Sequence, residues 1–203
     1  MDFKTRWRCI LIIIDNFIRD PYFLGQLEHF TLWEDPGVYK WADNPIKKKD
    51  NLAKKLISYI WHENCPLNMD LSIFEGFEYW TGIFEGGDRR ESQDSDGNFY
   101  HLFRHFDKDE EEWKNTGNLI CPKIGTVFYP HKANQNVIGG ELKIWETQDN
   151  DICNIPYELL LPKHNRLVIF DPSHLHAVTM VKEGTRRAIA INLWENKPTT
   201  FLD

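Results

Sequence analysis

Hydrophobic and polar positions follow two different periods along the chain. Leu52, Leu56 and Ile60 recur every fourth residue, with Ala53 and Ile57 beside them and Lys54 and Lys55 off the stripe. That is the helical period, so the pattern predicts a helix over about 50–62, capped by Asp50 or Asn51 and ended by Cys65-Pro66. A shorter helix is expected over 22–33, after Asp20-Pro21. Ahead of both, the apolar run 9–14 stops at Asp15-Asn16 and reads as a buried strand. From residue 70 the texture turns to β. Phe74–Phe84 is rich in aromatic residues, and short runs follow at 99–106, 119–130, 138–146, 157–161, 166–170, 175–181 and 186–194, separated by turn residues. Many short strands at such intervals predict a β-sandwich or jelly roll. The expected class is mainly β with N-terminal helices (α+β), the helices backing a barrel-like core. No repeat or linker interrupts the pattern. Residues 1–203 are therefore read as one domain, with helical support mainly in 15–65 and the β core mainly in 70–197.

Composition narrows the function classes. Of 203 residues, 41% are apolar and 27% charged, which fits a globular chain and excludes global disorder. Lys and Arg number 24 against 31 Asp and Glu, a net charge of −7, and this argues against a duplex-binding role that needs a basic face. Cys9, Cys65, Cys121 and Cys153 are far apart and form no CxxC pair, so they read as reduced thiols rather than a zinc ribbon. Lys4, Arg6 and Arg8 before the run 9–14 look like the front of a signal peptide. The run is shorter than the roughly 7–15 apolar residues a signal needs, and nothing approaches the roughly 18 of a membrane span. The expectation is a cytoplasmic protein without a membrane segment. Residues 85–98, EGGDRRESQDSDGN, carry no apolar side chain and lead into the strand at 99. They are expected to form a mobile surface loop and are a candidate lid.

The chemistry concentrates in two strands and the run between them. Residues 99–107 read FYHLFRHFD. Strand alternation puts His101, His105 and Asp107 on one side and Leu102, Arg104 and Phe106 on the other. A second histidine source lies in DPSHLHAV, which offers His174 or His176, the latter 71 residues after His105. Two imidazoles and one carboxylate on a rigid β scaffold fill one face of an octahedral iron and leave three positions open. The plainer reading is that Asp107 heads the acidic run Asp107, Asp109, Glu110, Glu111 and Glu112 at a solvated helix start. In the last strand, Arg187, Ile189, Ile191 and Leu193 share one face, and Arg186, Ala188, Ala190 and Asn192 the other. The small residues leave room, and Arg186 points into it. An arginine inside a barrel is costly without an anion, and a dicarboxylate meets a guanidinium in two-pronged fashion. The plainer alternative is an Arg186 at the exposed strand end.

At these residues the chain resembles the iron(II)- and 2-oxoglutarate-dependent dioxygenases, in pattern the prolyl-4-hydroxylase-like group. The resemblance covers most of the chain, from IIIDNFI at 12–18, and is strongest over 99–195. His105-Phe106-Asp107 matches the HxD motif. His176, followed by Ala177-Val178, matches the distal histidine, and this spacing favours it over His174. Arg186, in Gly184-Thr185-Arg186, matches the basic residue that binds the far carboxylate of 2-oxoglutarate. Gly139-Gly140-Glu141-Leu142 matches the GGxL turn. Tyr129, ten residues before that turn, stands where such proteins place a tyrosine hydroxyl on 2-oxoglutarate.

The resemblance implies a double-stranded β-helix (jelly roll, cupin-like) core, with Fe(II) on His105, Asp107 and His176 and 2-oxoglutarate on Arg186 and Tyr129. It also implies O2 as co-reactant and ascorbate as reductant. The implied activity is hydroxylation of an unactivated C–H, on a prolyl residue or a free amino acid, with release of succinate and CO2. The partner is then a peptide or small molecule; the oligomeric state stays open. His101 reads as pocket lining or packing, and Tyr79, Trp80 and Trp145 as pocket or core. The competing classes are a cupin-like binding protein without oxygenase activity, a nucleic-acid demethylase, which would want a basic stripe, and a halogenase, which would lack the carboxylate that Asp107 provides.

Overall fold

The computed structural model describes residues 10–87, 92–93, 99–132, 135–149 and 155–202. Among these the chain runs through β1 (Leu11–Asp15), α1 (Pro21–Gln26), β2 (Lys40–Asp43), α2 (Leu52–Ser58), β3 (Gly76–Glu85), β4 (Ser92–Gln93), β5 (Phe99–His105) and α3 (Glu110–Thr116). It continues through β6 (Ile124–Tyr129), β7 (Ile138–Gly139), β8 (Leu142–Trp145), β9 (Tyr157–Leu160), β10 (Arg166–Phe170), β11 (His176–Thr179), β12 (Val181–Glu183) and β13 (Thr185–Trp194). A six-stranded sheet in the order β1-β10-β6-β13-β3-β2 faces a five-stranded sheet in the order β4-β5-β11-β8-β9, and β12 pairs with β7. The pairings are antiparallel. From β5 onward the chain passes repeatedly from one sheet to the other, which winds it into the expected double-stranded β-helix.

The large sheet is buried on both faces. Its outer face carries Phe77, Tyr79, Phe128, Leu167, Ile189 and Ile191, which pack with Leu56, Ile57, Ile60 and Trp61 in one cluster. Its inner face carries Val127, Tyr129, Val168, Phe170 and Ala188, which meet Leu142, Ile144 and Leu160 of the small sheet. This is why its strands read as almost unbroken apolar runs. At roughly 25 cal/mol per Å² of apolar surface, these two layers are the main source of stability.

The helices differ in detail from the sequence pattern. The 50–62 stripe becomes α2 plus a π turn over Tyr59–Glu63, closed by the Asn64 N–H donating to the Tyr59 carbonyl at 3.0 Å. Asn51 is the cap, accepting from the Lys54 N–H at 2.8 Å, while Asp50 pairs with the Lys54 ammonium. Over 22–33 the structure gives only α1 and a 3₁₀ turn at Phe30–Leu32. No continuous apolar stripe supports a longer helix there. Leu27 and Trp33 are the buried anchors, joined by the Trp33 indole N–H donating to the Leu27 carbonyl at 3.0 Å. The strand expected from residue 119 starts at Ile124, because Leu119 and Ile120 are exposed and Pro122 has no N–H for the ladder. Of the loop 85–98, residues 88–91 and 94–98 lie outside the described residues, and so does the lid reading. Among the described residues no helix is long and apolar enough to cross a membrane.

Asn165 fastens the N-terminal segment to the core. It is buried with φ +54°, a left-handed conformation that asparagine tolerates. Its side chain accepts from the Ile18 N–H and donates to the Ile18 carbonyl, both at 2.9 Å. Asn165→Ala strands both Ile18 groups and strains the backbone, and is expected to lower the unfolding free energy by about 2–4 kcal/mol. Urea unfolding checks this; a loss below about 0.5 kcal/mol would contradict the role assigned to it.

Candidate active site

Strand pairing creates the site. In the β5–β11 ladder His176 stands directly opposite His105, and the two ring centroids are 4.3 Å apart. Asp107 follows two residues beyond β5, its N–H donating to the Pro172 carbonyl at 3.2 Å. Its Oδ1 lies 3.5 Å from His105 Nε2 and 3.6 Å from His176 Nε2. Each imidazole is fixed by the same device. His105 Nδ1 donates to the Phe103 carbonyl at 2.7 Å and His176 Nδ1 to the His174 carbonyl at 2.8 Å. A carbonyl only accepts, so both Nε2 atoms are left to present lone pairs to one point.

The electrostatics favour a cation at that point. Burial alone would raise the Asp107 carboxyl, but the imidazoles of His176 and His105 outweigh it and hold Asp107 well below the usual carboxylate range. Burial lowers the affinity of His105 for a proton, and the Asp107 hydrogen bond and charge more than reverse that. The three donor atoms lie within 4.8 Å of one another. Ligands at right angles on bonds of about 2.1 Å sit about 3 Å apart, so two imidazole nitrogens and an ionised carboxylate fit a first-row divalent metal after a small contraction.

A second constellation lies on the same cavity. Arg186, on the inner face of β13, is 3% exposed. Its Nε donates to the Gly140 carbonyl at 2.9 Å, and its Nη2 is 3.5 Å from the Tyr129 hydroxyl. Its guanidinium lies 5.2 Å from the Tyr129 ring centroid and 5.5 Å from that of Phe84. Among the described residues no carboxylate pairs with it. The glycine pair before β8 is explained here. Both residues have positive φ; a Cβ on Gly139 would stand 2.1 Å from the Met180 carbonyl oxygen, and one on Gly140 2.8 Å from Arg186 Cδ. Ala188 and Ala190 leave the cavity open between Arg186 and the three donors, with Leu102, Val178 and Trp80 as further walls. Tyr39 lies against Trp80, with ring centroids 4.8 Å apart and planes tilted by 47°.

The structure thus brings together His105, Asp107, His176, Arg186 and Tyr129. His174 joins through its backbone carbonyl, and Arg187 lies on the opposite face over the Trp33 ring. One expectation fails: His101 does not share the face of His105. Between the pairs His176↔His105 and Val178↔Leu102, β5 uses three residues where β11 uses two, and this bulge reverses the alternation. Leu102 therefore lines the cavity, while His101 stacks flat on Phe84 at 5.0 Å and accepts from the Val181 N–H at 2.9 Å. Tyr79 and Trp145 are core, and Trp80 is lining. The acidic run is divided: Asp107 stands beside the two imidazoles, while Asp109 caps α3 with Glu110–Glu112 in its first turn.

Sequence reasoning missed two residues. Asn192 Nδ2 donates to Asp107 Oδ2 at 3.2 Å and to Glu78 Oε2 at 3.4 Å, and the Trp194 indole N–H donates to the same Glu78 oxygen at 3.1 Å. Burial and the neighbouring Asp107 charge push Glu78 up to about 7. The available signal was a lone asparagine on an otherwise small-residue inner face.

A double-stranded β-helix whose smaller sheet carries two histidines side by side, with a carboxylate just beyond β5, defines the class: a cupin-like scaffold with a candidate site for a single metal ion. The 2OG-Fe(II) oxygenase superfamily model matches residues 93–194, half of the chain, and the chain belongs to that family, whose members use Fe(II), 2-oxoglutarate and O2. The fold is similar to that of a Pseudomonas putida prolyl-4-hydroxylase, with TM-score 0.60 and 15% identity over 93% of this chain and 87% of that one. It is also similar to a 2OG-Fe(II) oxygenase family oxidoreductase from Burkholderia pseudomallei, with TM-score 0.53 and 7% identity over 94% and 86%. A third similar structure is a Trichoplax adhaerens prolyl hydroxylase in complex with a hypoxia inducible factor oxygen degradation domain peptide fragment, with TM-score 0.50 and 15% identity over 95% and 87%. No curated protein matches the sequence.

Glu78 makes the metal-free protein sensitive to pH. Its folded pKa is raised, so its contribution to stability is complete below the ordinary glutamate value of 4.5 and is lost as pH rises through about 7. Glu78→Gln removes this titration. Between about pH 5 and pH 8 the variant is expected to gain on the parent by on the order of 2 kcal/mol, measured by urea unfolding in chelator. Parallel pH profiles would contradict it.

Proposed function

We propose that this chain is a hydroxylase that acts on an unactivated C–H of a peptidyl proline or a free amino acid, releasing succinate and CO2. In this reading His105, Asp107 and His176 hold the iron, Arg186 pairs with the far carboxylate of 2-oxoglutarate, and Tyr129 donates its hydroxyl to it. Residues 1–203 then act as one oxygenase domain. The observation that carries the reading is the buried Arg186 on the cavity of the three donors, with no carboxylate partner among the described residues. A guanidinium there is costly unless its ligand is an anion. When bound, iron and 2-oxoglutarate supply the oxidising power, one atom of O2 entering the substrate and the other entering succinate. The chain's own residues position and shield. The Phe103 and His174 carbonyls keep both imidazoles metal-facing, and Gly140 leaves room for Arg186 while its carbonyl orients the guanidinium. Leu102 and Val178 restrict water, and Trp80 borders the cavity as a surface for a cyclic or aliphatic side chain. The fold neighbours named as prolyl hydroxylases, one of them bound to a peptide, support a prolyl substrate.

Two measurements test this. Arg186→Ala is expected to weaken 2-oxoglutarate binding to the metal-loaded protein by roughly 100- to 4,000-fold, from about 3–5 kcal/mol for an unpaired buried charge, with metal affinity nearly unchanged. Calorimetric titration decides it; unchanged affinity would move the anion site elsewhere. Succinate formation with iron, ascorbate and 2-oxoglutarate is expected to rise on adding one member of a panel of proline peptides and free amino acids. A protein that binds iron yet neither binds 2-oxoglutarate nor forms succinate would instead be a cupin-like binding protein.

A further inference from the structure

Asp107 has two carboxylate oxygens with different surroundings. Oδ1 faces the two imidazole Nε2 atoms at 3.5 and 3.6 Å, and Oδ2 accepts from Asn192 Nδ2 at 3.2 Å. The same amide nitrogen reaches Glu78 Oε2 at 3.4 Å. Its two hydrogens are thus divided between two carboxylates, one at the donor cluster and one behind it. The arrangement is set by the sheet, because Asn192 and Glu78 are direct partners in the β13–β3 register. Glu78 is held in turn by the Trp194 indole N–H at 3.1 Å, from the same face of β13 two residues on. The amide has one sensible orientation. Turned over, its oxygen would face Asp107 Oδ2, and two acceptors would meet without a proton between them.

We propose that Asn192 is a positioning residue for the metal carboxylate: oriented by Glu78, it holds Asp107 Oδ2 so that Asp107 offers the metal one oxygen only. The inference rests on the reading that Asp107 is a metal ligand. Its consequence is coordinative. A carboxylate free to rotate can bind through both oxygens and occupy two positions, one of which 2-oxoglutarate or O2 needs. A carboxylate pinned at Oδ2 occupies one. Partners of this kind orient a ligand without touching the metal, and their loss typically costs about 10- to 100-fold in metal affinity.

Cobalt(II) titration of the full chain tests the proposal without turnover, because the visible d–d absorption of Co(II) reports coordination number and geometry together with affinity. Asp107→Ala is the control for the underlying reading and is expected to lose most Co(II) binding. Asn192→Ala is expected to raise the Co(II) dissociation constant about 10- to 100-fold and to change the d–d spectrum. Asn192→Asp, the same shape without a donor, is expected to do so more strongly. Glu78→Gln is isosteric and lies outside the cluster. It keeps one acceptor oxygen for two N–H groups, so a rise of about threefold or more with the same spectral direction is expected. Should the Asn192 variants fail to fold, Glu78→Gln decides. Parental affinity and spectrum in every variant that folds, with Asp107→Ala inactive in binding, would overturn the role of Asn192 while leaving the metal site standing. Parental Co(II) binding by Asp107→Ala would overturn the metal reading itself.

Discussion

A carboxylate buried between two imidazoles is tolerable only when each of its oxygens has a partner, and that constraint organises this molecule. Removing an ion from water costs several kcal/mol unless charge and hydrogen bonds replace the solvent. Asp107 meets it with His105 and His176 on one oxygen and Asn192 on the other. None of these groups is near another by sequence except His105. His176 arrives through the β5–β11 ladder and Asn192 through the long β13 strand. The two facing sheets are what bring them to one point, and the helices on the outer face of the large sheet keep that sheet in place.

The inner face of β13 carries both ends of the chemistry. Arg186 stands toward one end and Asn192 toward the other, with Ala188 and Ala190 between them. Small residues there cost little packing on the outer face, where Ile189, Ile191 and Leu193 fill the core. One strand can serve stability on one side and ligand space on the other because alternate side chains point apart. Gly140 completes the arrangement, since any side chain at that position would collide with Arg186.

Much of this was legible in the sequence, for identifiable reasons. The period of Leu52, Leu56 and Ile60, and the alternation in 186–194, are local properties, and the fold kept both. His105-x-Asp107 and His176 matched a known family pattern, and the family model covers them. What failed was what depends on partners. The face of His101 was wrong because a bulge in β5 is visible only from its register with β11. The pair Glu78–Asn192 spans 114 residues and exists only once β3 is known to lie beside β13. The helix expected over 22–33 shortened because two buried anchors, Leu27 and Trp33, do not hold three turns.

The central claim is that one cavity holds a metal on His105, Asp107 and His176 and an anion on Arg186 at the same time. Anaerobic addition of Fe(II) and then 2-oxoglutarate tests it most directly. A 2-keto acid chelated to Fe(II) gives visible charge-transfer absorption that neither component gives alone. The account predicts this absorption in the parent, its loss in His176→Ala, and its appearance only at far higher 2-oxoglutarate in Arg186→Ala. Absorption of parental strength in His176→Ala, or none in the parent, would contradict it.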